Sequence, residues 1–237
     1  MLALRQRRRA DAMRTLCNPA QPGVIADTRV LFLPAAYTGP EDFVRAGFVS
    51  AVRERGLPLD LVFAEVNLQH LTDRTILRRV RHELVLPARA LGCRSIWICG
   101  ISLGGFVGLA FAERYASEIE GLCVLAPYLG NHMITGEIER ATGVAGWEPG
   151  ELGPEDDERR VWRFIKTRAS HPVEIHLGYG REDRFADSHR MMAAALDPHR
   201  VQVIPGAHEW PVWSKLWVAF LDRQFARQDS QAAASNG

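Results

Sequence analysis

Six apolar runs of strand length, alternating with stretches of helix length, constrain this chain more tightly than any other feature of its sequence. The runs are Arg29–Leu33, Leu59–Val66, Ser95–Cys99, Gly121–Ala126, Val173–Gly178 and Arg200–Ile204. Most are continuously apolar rather than alternating, as a strand reads when both faces of its sheet are covered. Helical patterns fall at Glu41–Arg55, Asp73–Leu91 with an interruption at Pro87, Leu103–Ala116, Ser188–Leu196 and Trp213–Arg227. The alternation predicts an open, mostly parallel sheet flanked by helices. In such sheets ligands bind beyond the carboxyl ends of the strands, so chemistry is to be sought in the residues just after each run.

After the third run comes Gly100-Ile-Ser102-Leu-Gly104-Gly, which passes at once into a helical pattern. A serine on so sharp a strand-to-helix turn sits in strained backbone, and the residues two before and two after it must be small for strand and helix to pass closely. Ser102 is therefore the candidate nucleophile. The helix begins directly behind it, so free N–H groups and a positive dipole end face any negative charge that develops there.

The fifth run is followed by Gly178-Tyr-Gly-Arg-Glu-Asp183 and the sixth by Pro205-Gly-Ala-His208. Ser102, Asp183 and His208 thus share one edge of the sheet. The three types complement one another: a serine hydroxyl is a poor nucleophile until an imidazole accepts its proton, and the imidazole needs an acid to fix its tautomer. Glu182 is the competing acid, while Asp187 suits a cap for the helix near Ser188. Of the other histidines, His176 falls in a strand, His82 and His189 on helices, and His70, His171 and His199 in connections. His132 follows the fourth strand and is a candidate pocket residue.

On Gly100-Ile-Ser-Leu-Gly-Gly, Gly180-Arg-Glu-Asp183-Arg and Gly206-Ala-His208, the chain resembles the α/β-hydrolase superfamily over about residues 29–227, and most resembles small bacterial carboxylesterases and thioesterases. The resemblance implies a compact α/β-hydrolase fold of about six mostly parallel strands. The family's first two strands look absent, because only 28 residues precede Arg29. Residues 1–28 are expected to be an N-terminal extension, 128–172 a small cap-like insertion and 228–237 a flexible tail.

The resemblance also implies an oxyanion hole. One N–H comes from Leu103. The other comes from the loop after the first run, where many members carry His-Gly and this chain has Pro34-Ala-Ala-Tyr-Thr-Gly39; Ala36 matches best, with Tyr37 the alternative. In the expected insertion, His132, Met133 and Trp147 are candidate substrate contacts, joined by Trp210 just behind His208; the alternative for such aromatics is the protein's own core. The activity implied is cleavage of a carboxylic ester through an acyl-enzyme, with no cofactor or metal. A thioesterase or acyltransferase on the same three residues is the alternative, and a non-catalytic binding protein the alternative of another class.

Composition agrees with an enzyme acting on small molecules. The formal charge of +1, from 29 basic and 28 acidic residues, gives no general attraction to nucleic acid or anionic membrane. No run approaches the roughly 20 apolar residues of a membrane span, and the basic Arg7–Arg9 precedes no signal-like apolar stretch. Cys17, Cys93, Cys99 and Cys123 lack Cys-x-x-Cys spacing, and Cys99 and Cys123, inside apolar strand-like runs, read as buried free thiols, which suits a reducing, cytoplasmic setting. No His, Cys, Asp or Glu grouping has metal-ligand spacing, and Asp156-Asp157-Glu158 reads as an acidic helix start.

Overall fold

The computed structural model describes residues 12–66 and 71–225. Arg7–Arg9, His70 and the expected tail at 228–237 lie outside the described residues. In chain order the elements are β1 (Thr15–Asn18), β2 (Thr28–Leu33), α1 (Pro40–Arg45), α2 (Phe48–Arg53), β3 (Leu59–Ala64), α3 (Ile76–Arg79), a π-helical turn (Val80–Val85), α4 (Leu86–Ala90), β4 (Ser95–Ile101) and α5 (Leu103–Tyr115). There follow β5 (Gly121–Leu125), α6 (His132–Arg140), α7 (Asp157–Thr167), β6 (Glu174–Gly180), α8 (Ala186–Ala194), β7 (Val201–Ile204) and α9 (Trp210–Gln224).

The strands form one sheet in the order β1-β3-β2-β4-β5-β6-β7. Every neighbouring pair is parallel except β1 with β3. Helices α2 and α9 cover one face, and α3, α5 and α7 the other. The central strands are accordingly buried along nearly their whole length.

The sheet has seven strands where the sequence predicts about six. The added strand, Thr15–Asn18, is a short edge strand of mixed character with alternating exposure and no apolar run to announce it. What ties its neighbourhood down is a buried side chain elsewhere: Asp60 on β3, 3% exposed, accepts hydrogen bonds from Ala20 N–H and Ala26 N–H and pairs with Arg29.

Two helices also differ from expectation. Glu41–Arg55 is broken in two because Gly47 takes φ +84°, a left-handed conformation that ends α1 and redirects the chain. The interruption expected at Pro87 lies upstream, as the π turn Val80–Val85. Proline has no N–H to offer the preceding turn, and widening the helix there keeps the chain on course.

Within residues 128–172, α7 is a crossover helix packed on α5, burying Val161, Trp162, Phe164 and Ile165. Its first turn is acidic and follows Asp156, as the sequence implied.

Candidate active site

The strand order reverses between β2 and β4, which places a crevice where the carboxyl ends of these two strands meet. Ser102 stands there, between β4 and α5, with φ +51° and ψ −112°. That conformation is costly for a residue with a side chain and persists only where the surroundings enforce it. The glycines show how. A Cβ on Gly100 would stand 2.3 Å from Gly104 O, and one on Gly104 would stand 2.0 Å from Leu33 O. Ser102 N–H donates to Leu125 O at 3.0 Å, while Ser102 O accepts from Phe106 N–H at 3.1 Å and Tyr128 N–H at 2.9 Å.

The loops after β6 and β7 are stitched together. Arg181 N–H donates to Ile204 O at 2.8 Å and Glu182 N–H to Gly206 O at 3.1 Å. The Glu182 carboxylate accepts from Gly206 N–H, so this side chain serves the histidine's loop rather than the histidine. Asp183 Oδ2 lies 2.7 Å from His208 Nδ1, and its Oδ1 accepts from Phe185 N–H at 2.8 Å. Burial alone would raise the Asp183 carboxyl, but the hydrogen bonds from His208 and Phe185 outweigh it and hold the group below the usual carboxylate range. On the far side of the ring, His208 Nε2 is 3.0 Å from Ser102 Oγ.

An ionised Asp183 only accepts, so Nδ1 carries the imidazole proton and Nε2 is left with its lone pair toward the serine hydroxyl. Two rings clamp the imidazole edge-to-face: Phe185 at 5.3 Å and Trp213 at 5.0 Å between centroids. Ser102, Asp183 and His208, picked out from positions 81 and 25 residues apart, are thus brought into one hydrogen-bonded line.

The remaining expected site residues scatter. Leu103 is the first residue of α5, where N–H groups have no intrahelical acceptor. Ala36 and Tyr37 lie in a turn closed by Thr38 N–H to Ala35 O at 3.3 Å, with Tyr37 at φ +62° and 93% exposed. The turn leaves β2 beside the elbow, because Leu33 O is the atom that excludes a side chain at Gly104.

His132 and Met133 open α6, both exposed, and Met133 lines a groove of about 400 Å³ with Phe106, Ile134 and Glu158. Trp147 is not at this groove: it is 3% exposed in the core, its side chain hydrogen-bonded to Glu137 and its carbonyl accepting from Lys166 Nζ at 2.7 Å. Trp210 packs edge-on against Phe43, Phe48 and Trp213, one layer behind His208, and Trp213 is the indole that meets the imidazole.

Sequence reasoning missed Phe185, which starts a row of rings. Phe185 is 5.9 Å from Tyr128 and Tyr128 is 5.9 Å from Phe106, leading from His208 to the Met133 groove. Tyr128 is held by a 2.7 Å hydrogen bond from its hydroxyl to Glu158, which together with burial pushes the phenol up. The sequence signal for Phe185 was its place two residues after the acid; nothing distinguished it from any other turn residue.

Among the described residues, no helix is long and apolar enough to cross a membrane. No family model and no curated protein matches the sequence. Solved structures do match the fold. Est1E from Butyrivibrio proteoclasticus aligns over 90% of this chain and 95% of its own, at 16% identity and TM-score 0.61. A thermophilic esterase from Thermogutta terrifontis aligns over 91% and 93%, at 14% identity and TM-score 0.56. A monoacylglycerol lipase from Paleococcus ferrophilus aligns over 88% and 98%, at 12% identity and TM-score 0.53.

Proposed function

We propose that this chain, whose fold is that of the α/β hydrolases, is a serine hydrolase that cleaves a carboxylic ester through an acyl-enzyme. The observation that carries the reading is the unbroken line from Asp183 Oδ2 through His208 to the Oγ of a backbone-strained Ser102, at 2.7 and 3.0 Å. That fold and esterase neighbours go together supports it. Three such residues in the core of a binding protein would leave a strained serine and a buried carboxylate with nothing to do.

The chemistry follows from the geometry. Ser102 Oγ attacks the ester carbonyl as His208 Nε2 takes its proton, and Asp183 stabilises the imidazolium. The carbonyl oxygen, now negative, lies at the start of α5 and accepts from Leu103 N–H and from Ala36 N–H, with Tyr37 N–H the alternative. Two backbone donors and the helix dipole act there without reorganising. Collapse breaks the bond to the alcohol oxygen, which leaves with the proton from His208. Water, deprotonated by the same nitrogen, then attacks the acyl-serine carbonyl, and His208 returns that proton to Ser102 as the acid departs.

The ring row Phe185, Tyr128 and Phe106 receives the apolar part of the substrate and leads to the Met133 groove, whose lining also carries Asp156, Asp157, Glu158 and Arg159, within the expected insertion 128–172.

The experiment is hydrolysis of a matched panel of 4-nitrophenyl esters and acyl thioesters by the wild type, Asp183→Asn and Glu182→Gln. Oxygen esters are turned over faster, and Asp183→Asn loses about 10⁴-fold in kcat while Glu182→Gln loses less than about tenfold. Equal losses in the two variants would remove Asp183 from its role, and a preference for thioesters would move the protein to thiol-ester chemistry.

A further inference from the structure

Six residues beyond Asp183, on α8, a second imidazole lies wholly inside the protein. His189 has no exposed surface, packs on the rings of Tyr179 at 5.0 Å and Phe185 at 6.4 Å, and places Nε2 2.9 Å from Pro127 O. A carbonyl only accepts, so the proton is on Nε2 and Nδ1 keeps a lone pair, for which the described residues offer no partner. Burial pushes the group down to about 4, so the ring is neutral in ordinary conditions. An unpartnered buried nitrogen is a cost that leucine or phenylalanine would avoid. Filling space is therefore a poor account of an imidazole here, and its one distinguishing act is the hydrogen bond to Pro127.

Pro127 belongs to the turn that brackets the nucleophile. Leu125 O accepts from Ser102 N–H, and Tyr128 N–H donates to Ser102 O, so the main chain of Ser102 is held from both sides by residues flanking Pro127. The proline ring itself lies 2.9 Å from where a Cβ on Gly105 would stand. Ala126, before it, sits at φ +47° with its N–H on Gly178 O at 2.7 Å. On the other side, His189 N–H donates to Phe185 O and Ala186 N–H to Asp183 O. One side-chain hydrogen bond thus joins the turn behind Ser102 to the helix that follows Asp183.

We propose that His189 is a positioning residue for the reaction, holding the Pro127 turn so that Ser102 Oγ stays in register with His208 Nε2; this rests on the serine hydrolase reading. It touches neither substrate nor the reacting atoms. Its loss moves the serine relative to its base, a misalignment that lowers kcat more than it changes KM.

The test measures kcat and KM on 4-nitrophenyl acetate for the wild type, His189→Leu, His189→Asn and His189→Gln, with active sites counted by fluorophosphonate labelling. Glutamine carries an N–H at the reach of Nε2 and asparagine does not. Per labelled site, His189→Leu and His189→Asn lose about tenfold or more in kcat with KM within about twofold, and His189→Gln stays within about threefold of the wild type. Wild-type kcat per labelled site in His189→Leu overturns the proposal, as does a glutamine variant that falls as far as leucine or a change confined to KM. If leucine does not fold, the asparagine and glutamine pair decides by the same criteria. A wild type that neither labels nor hydrolyses ends the serine hydrolase reading and this proposal together, whereas an active wild type with unaffected variants ends this proposal alone.

Discussion

Ser102 and Tyr37 both carry side chains on left-handed backbone, φ +51° and +62°, and both stand where strand ends meet at the crevice. Their surroundings could hardly differ more. Ser102 is 6% exposed and is enforced by three glycines, by hydrogen bonds at both its N–H and its carbonyl, and by a proline ring behind the helix. Tyr37 is 93% exposed and is held by one turn, Ala35 to Thr38. Strain of this kind is kept only where neighbours over-determine it. The elbow is built to hold one geometry, whereas the turn carries an ordinary local cost on a loop whose contribution to the reaction, as proposed, is a backbone N–H.

The sharpest way to break that comparison is Gly104→Ala. Its Cβ would stand 2.0 Å from Leu33 O, which is backbone and cannot swing aside. The loss in unfolding free energy is about 3 kcal/mol or more, read by urea denaturation. A near-neutral result would mean that strand and helix are free to separate and that the elbow is not over-determined.

A smaller effect comes from acid, through the imidazole that backs the elbow. Burial pushes His189 down to about 4, whereas in the unfolded chain it takes the ordinary value of about 6.5. Above that ordinary value both states are neutral. Between the two the unfolded chain binds a proton that the native state does not, so stability is lost as pH falls through this window, by up to about 3 kcal/mol. His176, also lowered by burial, acts in the same direction. Asp183, held below the carboxylate range, adds its own loss only at lower pH. Denaturation at neutral pH and near pH 4.5 reads the slope, and His189→Gln reduces it; an unchanged slope would mean that His189 is not the titrating group.

The smallest effect belongs to the exposed turn. Tyr37→Gly relieves the left-handed strain but loosens the unfolded chain, so stability changes by less than about 1 kcal/mol and kcat by less than about threefold. A large loss of kcat would show that the Tyr37 side chain itself takes part and that this turn is as constrained as the elbow.

The same contrast explains what could be read from the sequence. Ser102, Asp183 and His208 were legible because each follows an apolar strand and because Gly100 and Gly104 bracket the serine, local patterns with a local cause. The crossover topology was legible for the same reason.

What could not be read depends on packing at a distance. Thr15–Asn18 is four residues of mixed character, Thr-Leu-Cys-Asn, too short to carry a strand pattern, and it is placed by pairing with β3 and by Arg53 on the Asn18 side chain. Trp210 and Trp213 share a helix three residues apart, and only the direction of α9 decides which indole meets His208. Trp147 reads as a pocket aromatic until Glu137 and Lys166, from two different helices, close around it. The loop at Ala36 and Tyr37 was the least legible, since a backbone donor leaves no mark in side-chain identity.

The central claim is that one hydroxyl, on the elbow, is the nucleophile, and intact-protein mass spectrometry after reaction with a fluorophosphonate tests it most directly. The wild type gains one phosphonyl group per chain, on the peptide containing Ser102, and loses ester hydrolysis in step. Ser102→Ala, still folded by circular dichroism, gains none and is inactive. Labelling elsewhere in the chain, or full hydrolysis by Ser102→Ala, would contradict the account.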